Sequence, residues 1–192
     1  MKNALCWNTD LMVECGAVQE GDRSVYYYGL EIIIPIVGFT CIALFTGWII
    51  GLTKEVIAYL VAFLPIRSSV GGYHASTMSK CLGISLANIT LGIWIGLKSN
   101  AVSLIPLILT ISYCIVLWLA PVIHPNHPYT KERKTVLIKQ ARLVGIIANT
   151  FIMIIRAFHP QLALIMSIAV FCACLGMPVA VLNGQVAKCT NQ

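Results

Sequence analysis

The sequence predicts an all-α polytopic membrane protein, with about six transmembrane helices behind an amphipathic N-terminal segment. Three observations carry that prediction. Of 192 residues, 58% are hydrophobic and only 10% are charged, and the mean hydropathy is +0.85, which is the composition of a membrane protein rather than of a soluble core. The apolar residues gather into long uncharged runs separated by short polar ones. The basic residues fall unevenly on alternate connections between those runs.

The first 30 residues form a cytosolic segment in this reading. Ala4, Leu5, Leu11, Met12, Cys15 and Val18 recur at helical spacing with Trp7 beside them, the pattern of an amphipathic helix. Such a helix lies on the membrane surface or packs on the protein's own cytosolic face, and the spacing allows both. Gly16 and Gly21 limit its length. Lys2, Asp10, Glu14, Glu20, Asp22 and Arg23 interrupt this stretch, so it lacks the apolar core of a cleavable signal peptide. Tyr26, Tyr27 and Tyr28 read as an interfacial aromatic belt.

Residues 31–185 read as the helical transmembrane domain. Residues 32–52 are long enough to cross the hydrocarbon core, with Pro35 in the expected first turn, where its missing N–H costs little. Lys54 and Glu55 break the run. Residues 56–66 return, but eleven helical residues reach only about 17 Å, so this segment borrows residues at its ends or is half-buried among its neighbours. After a polar stretch at 67–81, residues 82–97 and 101–123 form a further pair around Lys98, Ser99 and Asn100. A polar loop is expected over 124–142, then spans at 143–158 and 162–182 around His159 and Pro160. Pro178 is placed to kink the last of them.

The charges test this topology. With both termini inside, the cytosolic connections hold ten basic residues, Arg67, Lys80 and the group from Lys131 to Arg142 among them. The outer ones hold only Lys54, Lys98 and Arg156, which accounts for all thirteen. That asymmetry follows the positive-inside rule. The net charge of +6 is then mostly a matter of topology and contact with anionic lipid. Nucleic acid is not an expected partner, because the basic residues flank apolar spans and belong to no recognition fold.

The stretch 67–81 is the polar interruption that asks for a function. It holds Arg67, Gly71, Gly72, His74, Lys80 and Cys81. The diglycine marks a backbone that needs unusual dihedrals or a close approach. On one straight helix His74 and Cys81 would stand about 10 Å apart along the axis. A thiol and its base need about 3 Å, or one bridging water. The chain between them must therefore fold back, with Thr77 or Ser79 capping the helix that follows and Cys81 in its first turn. The helix N-terminus, Lys80 and a nearby imidazolium would all favour the thiolate, so Cys81 reads as an activated nucleophile and His74 as its base. Spacing alone also allows the plainer reading of an interfacial histidine and one more cysteine in an apolar helix.

These residues resemble the signature of the accessory gene regulator protein B family, the membrane cysteine endopeptidases of Gram-positive bacteria that process a quorum-sensing propeptide. Arg67, the run from Gly71 to Ala75, and Cys81 carry the resemblance. Tyr28, Gly29, Leu30 and Glu31 are similar to the family's entry motif, and Ala120, Pro121, Asn126 and Pro128 to its central loop. His127 departs from it, since a basic residue such as Arg is expected there. The resemblance covers nearly the whole chain. It implies His74 as general base and Cys81 as nucleophile. By their charge Arg67 and Lys80 are candidates for holding an acidic part of the substrate, with positive-inside anchoring the plainer reading, favoured for Lys80, and a structural or substrate role favoured for Arg67; Gly71 and Gly72 are substrate-binding or structural. The resemblance also implies a propeptide substrate cleaved through a thioester, closure of the product to a thiolactone, a homodimer, and the cell membrane of a Gram-positive bacterium; the charge asymmetry places the 67–81 stretch on the cytosolic side.

The remaining groups point elsewhere less clearly. Cys41, Cys114, Cys172 and Cys174 lie inside apolar runs, and Cys6, Cys15 and Cys189 in cytosolic ones, settings that do not favour disulfides. His124, His127 and His159 sit in loops beside proline and read as interfacial polar groups rather than zinc ligands. No phosphate or dinucleotide fingerprint appears, and no cofactor is expected. A different class remains open from the residues alone: a small transporter or sensor that uses the 67–81 stretch as a gate or ligand site.

Overall fold

The computed structural model describes Cys15, Gln19 and residues 23–71, 78–122 and 131–184. Among these, six α-helices account for nearly everything: α1 (Arg23–Ile49), α2 (Thr53–Val70), α3 (Met78–Lys98), α4 (Ile105–Leu119), α5 (Lys131–Phe158) and α6 (Pro160–Leu182), with a 3₁₀ turn, Ala101–Leu104, leading into α4. The amphipathic segment expected before residue 23 lies almost wholly outside the described residues. The chain divides into two compact units, Met1–Phe45 and Thr46–Gln192.

In the first unit the described chain is the body of α1. This helix starts at Arg23, so Pro35 lies in its interior and not in a first turn. The tyrosine run and residues 29–31 continue the helix instead of preceding it. Its side chains Ile33, Ile34, Ile36, Val37 and Ile42 are exposed, as lipid-facing residues are.

The second unit is organised around α6. Four helices have the length and apolarity to cross a membrane: Lys80–Lys98, Ala101–Leu119, Lys134–Phe158 and Pro160–Leu182. The chain is thus a multi-pass, all-helical membrane protein with four such spans among the described residues, where the sequence predicts about six. The other two fall short for different reasons. The described apolar part of α1, Ile33–Ile49, is shorter than a full span. Helix α2 carries Lys54, Glu55 and Arg67 within its 18 residues. It does borrow at both ends, however, reaching about 27 Å rather than 17. The polar stretch before residue 143 also differs from expectation, since α5 is already helical from Lys131.

Burial separates the helices. Over half of the α6 span, 56%, is buried, against 22% of α3. Helix α6 packs against α2, α3, α4 and α5, which is why its sequence is apolar on every side. Helix α2 turns Val56, Tyr59, Leu60, Ala62, Phe63, Ile66 and Val70 inward.

Small residues on α3 let the neighbours approach, the usual way for helices to pack where lipid is as apolar as leucine. A Cβ at Gly92 would stand 2.6 Å from the Tyr59 ring and 3.4 Å from Ile168, and one at Gly96 2.5 Å from Ile165. Gln161 caps this end, donating to the carbonyls of Gly96 and Ser99. Ascending α3 from Gly92 to Gly96 therefore descends α6 from Ile168 to Gln161, so the two helices run antiparallel. Asn88, one turn before Gly92, accepts a 2.9 Å hydrogen bond from the Tyr59 hydroxyl. The buried hydroxyls of Ser112 and Ser167 are satisfied within their own helices, by Ile108 and Leu164.

Candidate functional site

Helix α2 ends at Gly71, and the cause is local. Gly71 has φ +72° and ψ −149°, a region that only glycine occupies without strain. It also pairs with Val122 in an isolated parallel bridge, with the Val122 N–H donating to the Val70 carbonyl at 3.0 Å. A Cβ on Gly71 would lie 2.6 Å from the Val122 carbonyl oxygen. Both expected uses of a glycine, unusual dihedrals and close approach, thus meet at Gly71. The bridge also joins two stretches fifty residues apart, the one that starts at Arg67 and the one that starts at Ala120.

Arg67, in the last turn of α2, reinforces this end. Its Nη1 donates to the Gly71 carbonyl at 2.6 Å, so a side chain of the last turn serves an acceptor at the helix's C-terminal end. Burial works against the guanidinium charge, and a Cys81 thiolate works for it. Ser68 and Ser69 turn their hydroxyls back onto the Pro65 carbonyl, at 3.0 and 2.7 Å.

Helix α3 starts at Met78. Cys81 is therefore in its first turn, half-buried, and Ser79 lies inside the helix, so it is not the cap. Helix α2 ends at Val70 and α3 begins at Met78. His74, Gly72 and the capping position at Thr77 lie outside the described residues. Lys80 is exposed.

Cys81 opens onto a cleft with about 470 Å³ of empty space, part of it open to the surroundings, lined by Phe63 and Arg67 of α2, Cys81, Ile84, Ser85 and Asn88 of α3, and Cys172, Ala173 and Gly176 of α6. The spacing of 81, 84, 85 and 88 is one face of a helix. Tyr59 closes the network behind Asn88. Its ring stacks on Phe63 with centroids 5.7 Å apart. Of the residues singled out in the sequence, Arg67 and Cys81 come together here, Gly71 sits behind Arg67, and Lys80 is not among the described lining residues. Ser85 and Asn88 escaped the sequence reading although a signal exists, since they are polar residues at helical spacing from Cys81 inside an apolar run. Cys172 and Gly176 carried no such signal, because only packing brings α6 to this face.

Chemically the arrangement offers one accessible thiol at a helix N-terminus, a guanidinium in electrostatic reach, and a mostly apolar cleft. The described cysteines are all free, and no cluster of three or more possible metal ligands occurs among the described residues.

Comparison with curated proteins and with solved structures gives no significant match. The family model Accessory gene regulator B matches residues 8–180. That match runs from ahead of α1 to within two residues of the end of α6 and takes in both bridged stretches and the cleft. The chain belongs to the accessory gene regulator B family, membrane proteins of a quorum-sensing system that act in propeptide processing.

Proposed function

We propose that the chain is a cysteine endopeptidase that cleaves a quorum-sensing propeptide through a thioester on Cys81 and promotes its closure to a thiolactone. The observation that carries this reading is the position of Cys81, in the first turn of α3, beside Arg67 and open to a cleft. His74 acts as general base.

The steps balance as follows. The Cys81 thiolate attacks a peptide carbonyl carbon and the C–N bond breaks. The leaving amine takes a proton from the His74 imidazolium, and the carboxyl-terminal piece departs. The amino-terminal piece stays on Cys81 as a thioester. A cysteine thiol of the bound peptide then gives its proton to His74 and attacks that carbonyl, closing the ring and restoring the Cys81 thiolate. Exchange of one thioester for another is nearly balanced in energy, whereas an oxygen ester lies lower and would make the second step uphill. This is why the chemistry favours cysteine over serine. Apolar walls that exclude water protect the waiting thioester. The protein works as a homodimer in the cell membrane of a Gram-positive bacterium, with the site and both termini on the cytosolic side.

The test is co-expression with the propeptide encoded nearby, read by mass spectrometry. Cys81→Ala should abolish cleavage with membrane insertion retained. His74→Ala should slow it by at least about a hundredfold, the scale of a lost general base, with partial recovery as hydroxide replaces the base at raised pH. Cleavage by Cys81→Ala at the wild-type rate would sink the reading.

A further inference from the structure

We propose that the cleft below Cys81 is the pocket for the side chain next to the attacked carbonyl, that it takes a large apolar side chain, and that Gly176 and Ile84 set the size it accepts. This inference rests on the proposed catalytic role of Cys81.

The cleft has a direction. Cys81 and Asn88 are seven residues apart on α3, about 10 Å along the axis, and both line it. Arg67 lies at the Cys81 end, within electrostatic reach of the thiol. Tyr59, through its hydrogen bond to Asn88, marks the other end. The antiparallel register of α3 and α6, with Gly92 against Ile168, puts Cys172 at the Asn88 level. Gly176, one turn further along α6, then falls at the level of Ile84 and Ser85, nearer the thiol. A carbonyl carbon held at Cys81 has its side-chain branch one bond away, and this cleft is the space into which that branch can extend.

The lining names the chemistry. Phe63, Ile84 and Ala173 are apolar walls, and no carboxylate is among the described lining residues to receive a cation. The guanidinium that could receive an acid is at the mouth and already donates to the Gly71 carbonyl. The Asn88 oxygen is engaged by Tyr59, which leaves a carboxamide donor edge at the floor and no full charge. A methyl group at the thiol end would not reach walls that extend to Asn88, and so would forfeit packing. Gly176 presents no side chain beside the entrance, and Ile84, 52% exposed, forms the opposite lip.

The experiment uses full-length protein in native membranes and acylated tripeptidyl chloromethyl ketones ending in Ala, Leu, Phe or Lys. With these probes the thiolate displaces chloride from the methylene carbon and leaves a thioether on Cys81, quantified by mass spectrometry. Iodoacetamide, which needs no pocket, serves as the control. The wild type should react with the Leu and Phe reagents about tenfold or more faster than with the Ala one, the discrimination a few methylenes allow in an apolar pocket, and slowest with Lys. Gly176→Val should erase the preference for Phe over Ala while leaving the iodoacetamide rate within about twofold. Ile84→Ala, at an exposed position that carries little folding risk, should widen the entrance and raise the Phe-to-Leu ratio. Equal rates across the four reagents in the wild type, or variants that scale all four alike, would overturn the proposal. The two readings fail separately. An iodoacetamide rate at Cys81 no higher than at the other thiols counts against the activated nucleophile, whereas the ratio among the chloromethyl ketones reports only the cleft.

Discussion

Helices α3 and α6 are both long, apolar and nearly uncharged, yet they do opposite jobs. Helix α6 is buried over 56% of its span and touches four other helices; α3 is buried over 22%. Helix α6 is apolar on all sides because all sides are packed. Helix α3 divides into a lipid face, with Leu91, Trp94 and Ile95 exposed, and an inner face of Cys81, Ser85, Asn88, Gly92 and Gly96. Cys81 thus sits at the start of the less buried helix, open to the cleft, while the central helix contributes a wall. A helix enclosed on all sides could hold a thiol, as it holds Cys174, fully buried, but no substrate would reach it.

Three substitutions test that division. Leu164 on α6 is 1% exposed, so Leu164→Ala leaves a cavity that four neighbours cannot fill and should cost at least about 2 kcal/mol. In detergent micelles the unfolding midpoint should fall by roughly 4–8 °C or more for a chain of this size. Gly92→Ala pushes a methyl into the Tyr59 ring, which lies 2.6 Å from where it would stand, and overpacking of that kind costs about 1–3 kcal/mol. The added readout is the Tyr59 to Asn88 hydrogen bond at the cleft floor, so Gly92→Ala should also weaken the selectivity among chloromethyl ketones. Leu91→Ala, the same chemical change as at Leu164 but on the lipid face of α3, should move the midpoint by less than about 2 °C, as surface substitutions do. Equal shifts for Leu164→Ala and Leu91→Ala would erase the distinction between the two helices.

Much of this was legible in the sequence, and the parts that were not have physical reasons. The apolar runs located the spans at 82–97, 143–158 and 162–182 because lipid demands unbroken apolar helices. The count of six was too high among the described residues, since hydropathy does not say how a short segment with charged ends is completed. Helix α2 answered that by extending through Thr53 and Val70 and burying its face on α6. Pro35 was misplaced because a proline tolerated at a helix start looks the same in sequence as one inside a longer helix. At the site, Gly71 announced itself, since a diglycine between apolar runs has few other uses. Its partner Val122 did not, because a single backbone bridge across fifty residues leaves no pattern in the sequence. Arg67 was legible as a group near the turn, but its bond to the Gly71 carbonyl needed the fold of that turn. The cleft itself was half legible: α3 showed its polar face in the spacing of Cys81, Ser85 and Asn88, and α6 showed nothing.

The central claim is that Cys81 carries the substrate as a thioester. The direct measurement is mass spectrometry of the protein quenched in acid during turnover of the co-expressed propeptide, with and without hydroxylamine, which cleaves thioesters. The expected result is an adduct on the peptide that contains Cys81, equal in mass to the amino-terminal fragment less water, removed by hydroxylamine and absent from Cys81→Ala. An adduct on a different cysteine, or propeptide cleavage that continues at the wild-type rate in Cys81→Ala, would contradict it.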